Sequence, residues 1–440
     1  MLKTVLSLSF VVATRFFGLF ILLPVISLYA LKFPGANEVL VGVLIGIYAL
    51  MQMIFQVPFG LLSDKIGRKH TMFIGLAIFI VGSLICGFTN DIYMMIFGRF
   101  LQGCGAIGAV ATAMISDFTK EEERGKAMAI MGAMIGVAFA SSMVLSPILS
   151  DKFGLASLFH ISTALTVLCI VLLYTAVPKE VKIKSFQENV PLSEILSDKD
   201  LSLMNLTNFF QKMLMTMAFL AIPIVLVNSM GYPENHLYKV YSVAMVFGFL
   251  AMGFAGAVGE KRGLSKQILL LGIVFFILSY AIFAVVDTKF AFMVGVVLFF
   301  IGFNMHEPIM QSCASKFAKS NQKGVVLGVF NSAGYFGSFI GGVFGGFMMS
   351  EFGIHELAML IAVIGIIWFL LLITLTNPAL FKNIYFSKDE ARGLDFASLN
   401  EQKGFIESYQ KGDGFVVKYN SKLTNKENLY KILGVKNEQN

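Results

Sequence analysis

The apolar positions of this chain neither alternate nor recur as narrow stripes. They gather into twelve long runs, at 5–31, 38–62, 71–88, 91–115, 124–150, 155–177, 201–228, 235–258, 264–286, 288–315, 322–350 and 354–376. Each is about 20 residues or longer, the length an α-helix needs to cross ~30 Å of hydrocarbon. Most connections are only a few residues long, so neighbouring helices must run antiparallel. The exception is 178–200, mostly polar and holding Pro178 and Pro191, which divides the spans six and six. The pattern predicts an all-α membrane protein with an N-terminal six-helix bundle at 1–177, a linker at 178–200 and a second bundle at 201–378. The first run continues past Arg15 to Leu31 with no small-residue cleavage site, so it is expected to remain as a span.

Composition agrees and excludes a soluble enzyme. Hydrophobic residues make up 57% and charged residues 14%, with mean hydropathy +0.77, whereas soluble domains carry about 25% charged residues. The net charge of +7 does not point to nucleic acid, because the charges sit in the loops. Counted by loop, one side carries seventeen Lys and Arg, from Lys3 through Lys65, Arg68, Lys120, Lys179, Lys261 and Lys316 to Lys323. The other side carries four: Lys32, Lys152, Lys239 and Lys289. The positive-inside rule then predicts cytoplasmic termini and a cytoplasmic linker. Cys86, Cys104, Cys169 and Cys313 each fall within an apolar run without metal-ligand spacing, and read as small buried hydrophobes.

From Phe381 the composition changes. The last 60 residues hold ten Lys/Arg and eight Asp/Glu, with no Cys, His or Met. Asn383–Ser387, Gly404–Tyr409 and Gly414–Tyr419 read as strands, the last following a Lys-Gly-Asp-Gly turn. Thr424–Leu433 reads as a closing amphipathic helix with Thr424 at its N-cap. A small cytoplasmic α+β domain at 379–440 is expected, one poor in metal ligands; its partner is not legible.

The loop between spans two and three reads Gly60-Leu-Leu-Ser-Asp64-Lys65-Ile-Gly67-Arg68-Lys69. Gly67 permits a tight turn, and Asp64 can pair with Arg68 or approach the positive end of another helix. The order of residues resembles the loop signature of the major facilitator superfamily, GxLxDRxGRKxxL, departing at Lys65 and Met72. Arg99, Gln102 and Gly103 in span four are similar to the family's second motif, RxxQG. The resemblance covers roughly residues 1–376. An internal repeat agrees with it: Gly256, Glu260, Lys261 and Gly263 reproduce the offsets of Gly60, Asp64, Lys65 and Gly67, and Arg124-Gly125 resembles Lys323-Gly324.

The resemblance implies the major facilitator fold, a substrate site near the midplane between the bundles, and transport by alternating access. Arg15 with Leu23-Pro24-Val25, the series Gln56-Val57-Pro58-Phe59-Gly60, and the polar tail are similar to a bacterial branch grouped with drug/proton antiporters. Members of that branch carry a small ferredoxin-like domain after the last helix. The antiporter motif of span five is incomplete: Gly132, Gly136 and Pro147 are present, but Ser146 stands where glycine is expected and the closing glycines are absent.

Ionisable groups at membrane depth are costly and need a partner or a role. They are few: Arg15, Arg99, Lys212 and the sequence His306-Glu307-Pro308. Glu307 is the one acid far from a span end. It reads as a proton carrier, with His306 and Arg15 as candidate partners, or as half of a static Glu–Arg or Glu–Lys pair, or as a contact for a cationic substrate. Pro308 beside it is expected to kink span ten. The conformational switch is expected at Gly60, Asp64, Gly67, Arg68, Lys69, Arg99, Gln102, Gly103, Asp117 and Arg124. Asp64 would hold the cytoplasmic ends of spans two and eleven together in the outward-facing state.

Gln52, Gln56, Asn205, Asn208, Gln211, Asn304, Gln311, Asn331 and Tyr335 are candidates for the cavity wall. Asn205, Asn208 and Gln211-Lys212 share one face of span seven, at spacings of three or four. Gly337, Gly341 and Gly345, with Gly342 and Gly346 beside them, allow a close crossing of span eleven with a neighbour.

No nucleotide-binding loop, nucleophile–His–acid set or metal cluster is legible, so neither an enzyme nor a cofactor is expected. The expected partners are a small-molecule substrate, protons and membrane lipid, with no nucleic acid. Proton-coupled export of a drug-like molecule leads; the alternatives are a sugar or amino-acid facilitator and a membrane sensor acting through the tail.

Overall fold

A computed structural model describes residues 2–119, 121–178, 192–411 and 414–435 of the chain. Lys120 and linker residues 179–191, among them Lys179, Lys182, Lys184 and Pro191, lie outside the described residues, as do the side chains of Lys3, Arg124, Glu260 and Lys261. Among the described residues ten helices are long and apolar enough to cross a membrane. They become twelve spans once Glu121–Thr175 is divided at Gly154, where φ is 76°, and the shorter apolar helix Leu2–Phe20 is added. These are the twelve runs of the sequence, with edges moved by a few residues.

Local sequence explains how the spans begin and break. Span two, Glu38–Ile66, starts at Asn37, whose side chain accepts from the Leu40 N–H at 2.9 Å, and stops at Gly67, where φ is 100°. Its 29 residues reach roughly 43 Å at 1.5 Å each, so the end carrying Asp64 stands clear of the hydrocarbon. Span one stops at Phe20 and resumes as Ile26–Ala30 after a turn containing Pro24. Proline has no N–H to carry a helix onward. Span four breaks at residues 105–107, between Ile92–Cys104 and Gly108–Asp117. Span seven begins at Lys199 and closes in a π-turn, Val225–Ser229, after Pro223. Span ten, Lys289–Phe317, runs unbroken through Pro308.

The loop motif, the linker segment Leu192–Ser197, the 10–11 loop and the C-terminal domain share one end of the molecule, here the tail side; Lys32 and Glu234 mark the far side. Apolar packing differs between the two. Toward the far side the cores mix the bundles: Phe139 and Met143 of span five pack with Phe219 and Phe303, and Ile21 and Leu22 pack with Leu220 and Ile224. The tail-side core of the first bundle, from Val5 through Phe59 and Met72 to Val177, contains residues of that bundle alone. Cross-bundle polar bonds follow the same division. Lys32 pairs with Glu234 at 3.0 Å, Ser27 Oγ donates to the Phe219 carbonyl, and Tyr241 donates to the Pro24 carbonyl. Toward the tail side Gly60, Gly136, Gly256 and Gly328, on spans two, five, eight and eleven, face open space. The bundles are joined at the far side and parted at the tail side.

The far-side seam is a crossing of spans two and eleven (Lys323–Glu351). A methyl group on Gly42 would overlap the Gly342 carbonyl oxygen, and one on Gly346 would overlap that of Glu38. The second row of span-eleven glycines has a different neighbour. Gly337 and Gly341 press on the backbone of Phe209 and Met213 in span seven, inside the second bundle. One helix thus carries two interleaved small-residue stripes, one for the bundle's own packing and one for the seam between bundles.

After span twelve (Ile354–Ile373) come β1 (Phe381–Phe386), β2 (Phe405–Lys411) and β3 (Gly414–Asn420), an antiparallel sheet in the order β1-β3-β2. That is the order of a ferredoxin-like βαββαβ sheet without its last strand. A turn and the 3₁₀ segment Phe396–Leu399 stand where its first helix would be. Residues 412–413 of the expected turn lie outside the described residues, but the strands flanking them pair Lys411 with Gly414. The closing helix is Lys426–Ile432, and its cap is Asn425, which accepts from the Asn428 N–H, rather than the expected Thr424. Leu399, Val417 and Leu429 fill a small core of the domain's own.

A charged pair in the cleft between two bundles

In the second bundle the expected face of span seven meets span ten. Lys212 Nζ lies 2.6 Å from Glu307 Oε1, and Gln211 Nε2 donates to the same oxygen at 2.8 Å. The Lys212 and Glu307 side chains are 26% and 37% exposed, so the pair is not sealed in a core, and Phe303 beside it packs on Phe139 of the first bundle, which sets the pair at the boundary of the two bundles. Phe303 places its ring 5.1 Å from the ammonium. Asn208 donates to the Phe330 carbonyl of span eleven and Asn304 to the Phe300 carbonyl of its own helix. Asn205 Nδ2 and Gln211 Oε1 are buried without a hydrogen-bond partner. Asn331 and Tyr335 are half-buried on span eleven, and Gln311 is exposed.

His306 is not brought to Glu307. Successive residues of a helix point about 100° apart, and His306 turns inward, its Nε2 donating to the Leu269 carbonyl at 2.8 Å. Its ring packs against Phe276 and Trp368, and Nδ1 has no partner. Because the carbonyl can only accept, Nε2 carries the proton.

Arg15 is held in the first bundle. It is 2% exposed and donates to the Tyr48 hydroxyl at 2.8 Å and to the Gly105 carbonyl at 3.4 Å, a carbonyl at the break in span four. Its Nε has no partner. Arg99 lies 4.8 Å from the centre of the same Tyr48 ring and donates to Gln102 Oε1, while Gln102 donates to Ser83. Gln52 donates to the Gly103 carbonyl, and Gln56 Oε1 is buried and unpaired. Tyr48 therefore links the two guanidinium groups. Sequence reasoning missed it, although it sits at the regular four-residue spacing of Gln52 and Gln56 on span two.

The loop motif forms a separate cluster on the tail side. Arg68 pairs with Asp64 at 2.6 Å and with Asp117, at the end of span four, at 3.1 Å. Ser63 accepts from the same guanidinium, and Lys69 donates to the Val177 carbonyl. Asp117 thus joins Arg68 in this cluster. Arg124, also expected in the switch, has its side chain outside the described residues.

Two six-helix bundles, closed on one side and parted on the other, with an ion pair exposed between them, define a secondary transporter rather than an enzyme. The chain belongs to the Major Facilitator Superfamily, whose profile matches residues 8–342. It is similar to the inner membrane transport protein YajR of Escherichia coli (strain K12), with 34% identity over 376 residues, covering 84% of this chain and 83% of that protein. An uncharacterized transporter of Buchnera aphidicola subsp. Baizongia pistaciae is 31% identical over 84% of this chain and 95% of its own length. Among solved structures, the nucleoside transporter NupG superposes with a TM-score of 0.70 at 15% identity, covering 84% of this chain and 99% of that one. These likenesses establish family and fold.

Proposed function

We propose that the protein is a proton-coupled carrier of the inner membrane, with both termini cytoplasmic, that exports a small drug-like organic molecule by alternating access. The observation that supports this reading most directly is the Lys212–Glu307 pair, at membrane depth and partly exposed between the bundles. A proton on Glu307 removes the charge that holds Lys212. The freed ammonium and carboxyl then change what spans seven and ten present to the cleft, so proton binding and cargo binding act on one another. The similarity of the sequence to drug/proton antiporters supports the direction, and the positive-inside charge bias supports the orientation. Arg15 and Arg99, with Tyr48 between them, supply a fixed positive wall in the first bundle.

Proteoliposomes under an imposed pH gradient test the reading while lipophilic cations, sugars and amino acids are screened. Proton flux triggered by lipophilic compounds is expected. Flux triggered by a sugar or an amino acid instead would make the protein a metabolite carrier. No triggered flux from a correctly folded protein would overturn proton coupling.

The loop motif supplies a gate. With the tail side parted, Asp64 is engaged by Arg68. On closure it would swing to the positive end of span eleven and hold spans two and eleven together. Asp64→Asn is expected to lower the closed population several-fold, read as the distance between spin labels on the tail-side ends of spans five and eight. An unchanged distance distribution together with unchanged transport would rule this gate out.

A further inference from the structure

The five residues between spans ten and eleven, 318–322, are gripped from two sides by segments outside the helical bundles. Glu407 of β2 accepts from the Ser320 N–H at 2.9 Å and from the Ser320 hydroxyl at 3.0 Å. Lys418 of β3 donates to the Ala318 carbonyl at 2.6 Å and lies 3.8 Å from Glu407. From the linker segment Leu192–Ser197, Glu194 accepts from Lys319 at 3.1 Å and from Gln322 at 2.8 Å.

The sheet is shaped for this contact. A register shift between Phe405 and Glu407 sets Glu407 directly across from Lys418, and such bulges re-aim side chains. The two side chains are only 13% and 7% exposed. Burial pushes the Lys418 ammonium down to about 8, a cost that Glu407 opposes only in part. Phe381, at the start of β1, packs edge-to-face on Phe317 at the end of span ten.

Two carboxylates are therefore bonded to the turn that leads into span eleven, whose positive end Asp64 is expected to seek on closure. Gln322, at the N-cap, makes no side-chain cap of its own. We propose that the C-terminal domain and the linker segment Leu192–Ser197 form a latch on the 318–322 loop that keeps the tail-side gate open by holding the carboxylates of Glu407 and Glu194 on the turn that leads into span eleven, where they compete with Asp64 for its positive end. Releasing the latch leaves that end to Asp64, and the gate closes. The domain then sets the balance between the two states, and a partner that pulls it away would change transport without touching the cleft. This rests on the gating reading of the loop motif, but not on what is carried or on whether protons move.

The test uses the full-length protein in lipid nanodiscs, with the four buried native cysteines replaced. Spin labels at the exposed positions Lys126→Cys and Arg262→Cys report the tail-side opening, and a label at exposed Lys388→Cys reports docking of the domain. In Glu194→Gln/Glu407→Lys the domain label is expected to become mobile and the short-distance, closed population to rise at least threefold. Adding Asp64→Asn is expected to reverse that rise. A mobile domain with an unchanged opening distance would overturn the latch. A rise that survives Asp64→Asn would overturn the competition at span eleven. A domain that stays docked in the variant would overturn Glu407 as its hold.

Discussion

Glu307→Gln is expected to reduce cargo-driven proton flux to the leak of empty liposomes while leaving the protein folded. Glutamine keeps the shape of the side chain and can still accept from Lys212 and Gln211, but it cannot exchange a proton. The pair is about a third exposed, so its contribution to stability is at most ~1 kcal/mol after solvent screening. A large loss of flux with a small loss of stability is therefore the signature of proton carriage. Lys212→Met separates this from a merely structural pair: it leaves the carboxyl in place but removes the charge that proton binding would release. It should retain cargo binding while uncoupling it from the pH gradient. Equal flux in Glu307→Gln and wild type, at matched protein incorporation, would return Glu307 to the role of a static pair.

Much of this architecture can be read from the chain because a bilayer penalises exposed polar backbone so heavily. Long apolar runs leave helices as the available answer, and twelve runs with one polar interruption give two bundles. The loop motif is legible because its residues act locally: Asp64, Arg68 and Gly67 meet within one turn. Contacts across the fold are not. That Glu307 would meet Lys212, and not Arg15, depends on how spans one, seven and ten are arranged, which no local spacing encodes. The inward turn of His306 follows from a helix rotation of one residue, invisible without knowing which face of span ten lines the cleft. Gly337, Gly341, Gly342, Gly345 and Gly346 of span eleven announce a close crossing, but not that different members serve different partners. The grip of Glu407 and Lys418 on the 318–322 loop depends on a bulge in β2, and the sequence carries no sign of one.

Gly342→Leu should lock the far side apart, and Gly341→Leu should instead unfold the second bundle. The two positions are adjacent and chemically identical, so the difference tests which stripe faces which neighbour. At Gly342 an added side chain meets the Gly42 carbonyl and the backbone of Gly46, all in the other bundle. Backbone cannot step aside as a flexible side chain would. The bundles must separate at the far side, while the packing of span eleven on span seven is untouched. At Gly341 the obstacle is the Met213 backbone within the same bundle. The cost there falls on the fold itself, at or above the ~1–3 kcal/mol of ordinary overpacking. Spin labels at exposed Lys152→Cys and Lys239→Cys, one on each bundle at the far side, are expected to move apart in Gly342→Leu at a nearly unchanged melting temperature. Transport should fall roughly a hundredfold, since a closed far-side population of one in a hundred already demands ~3 kcal/mol of bias. Gly341→Leu should show the reverse, a lower melting temperature with no selective opening. If both variants only destabilise, the seam between spans two and eleven is packing rather than a gate, and alternating access must pivot elsewhere.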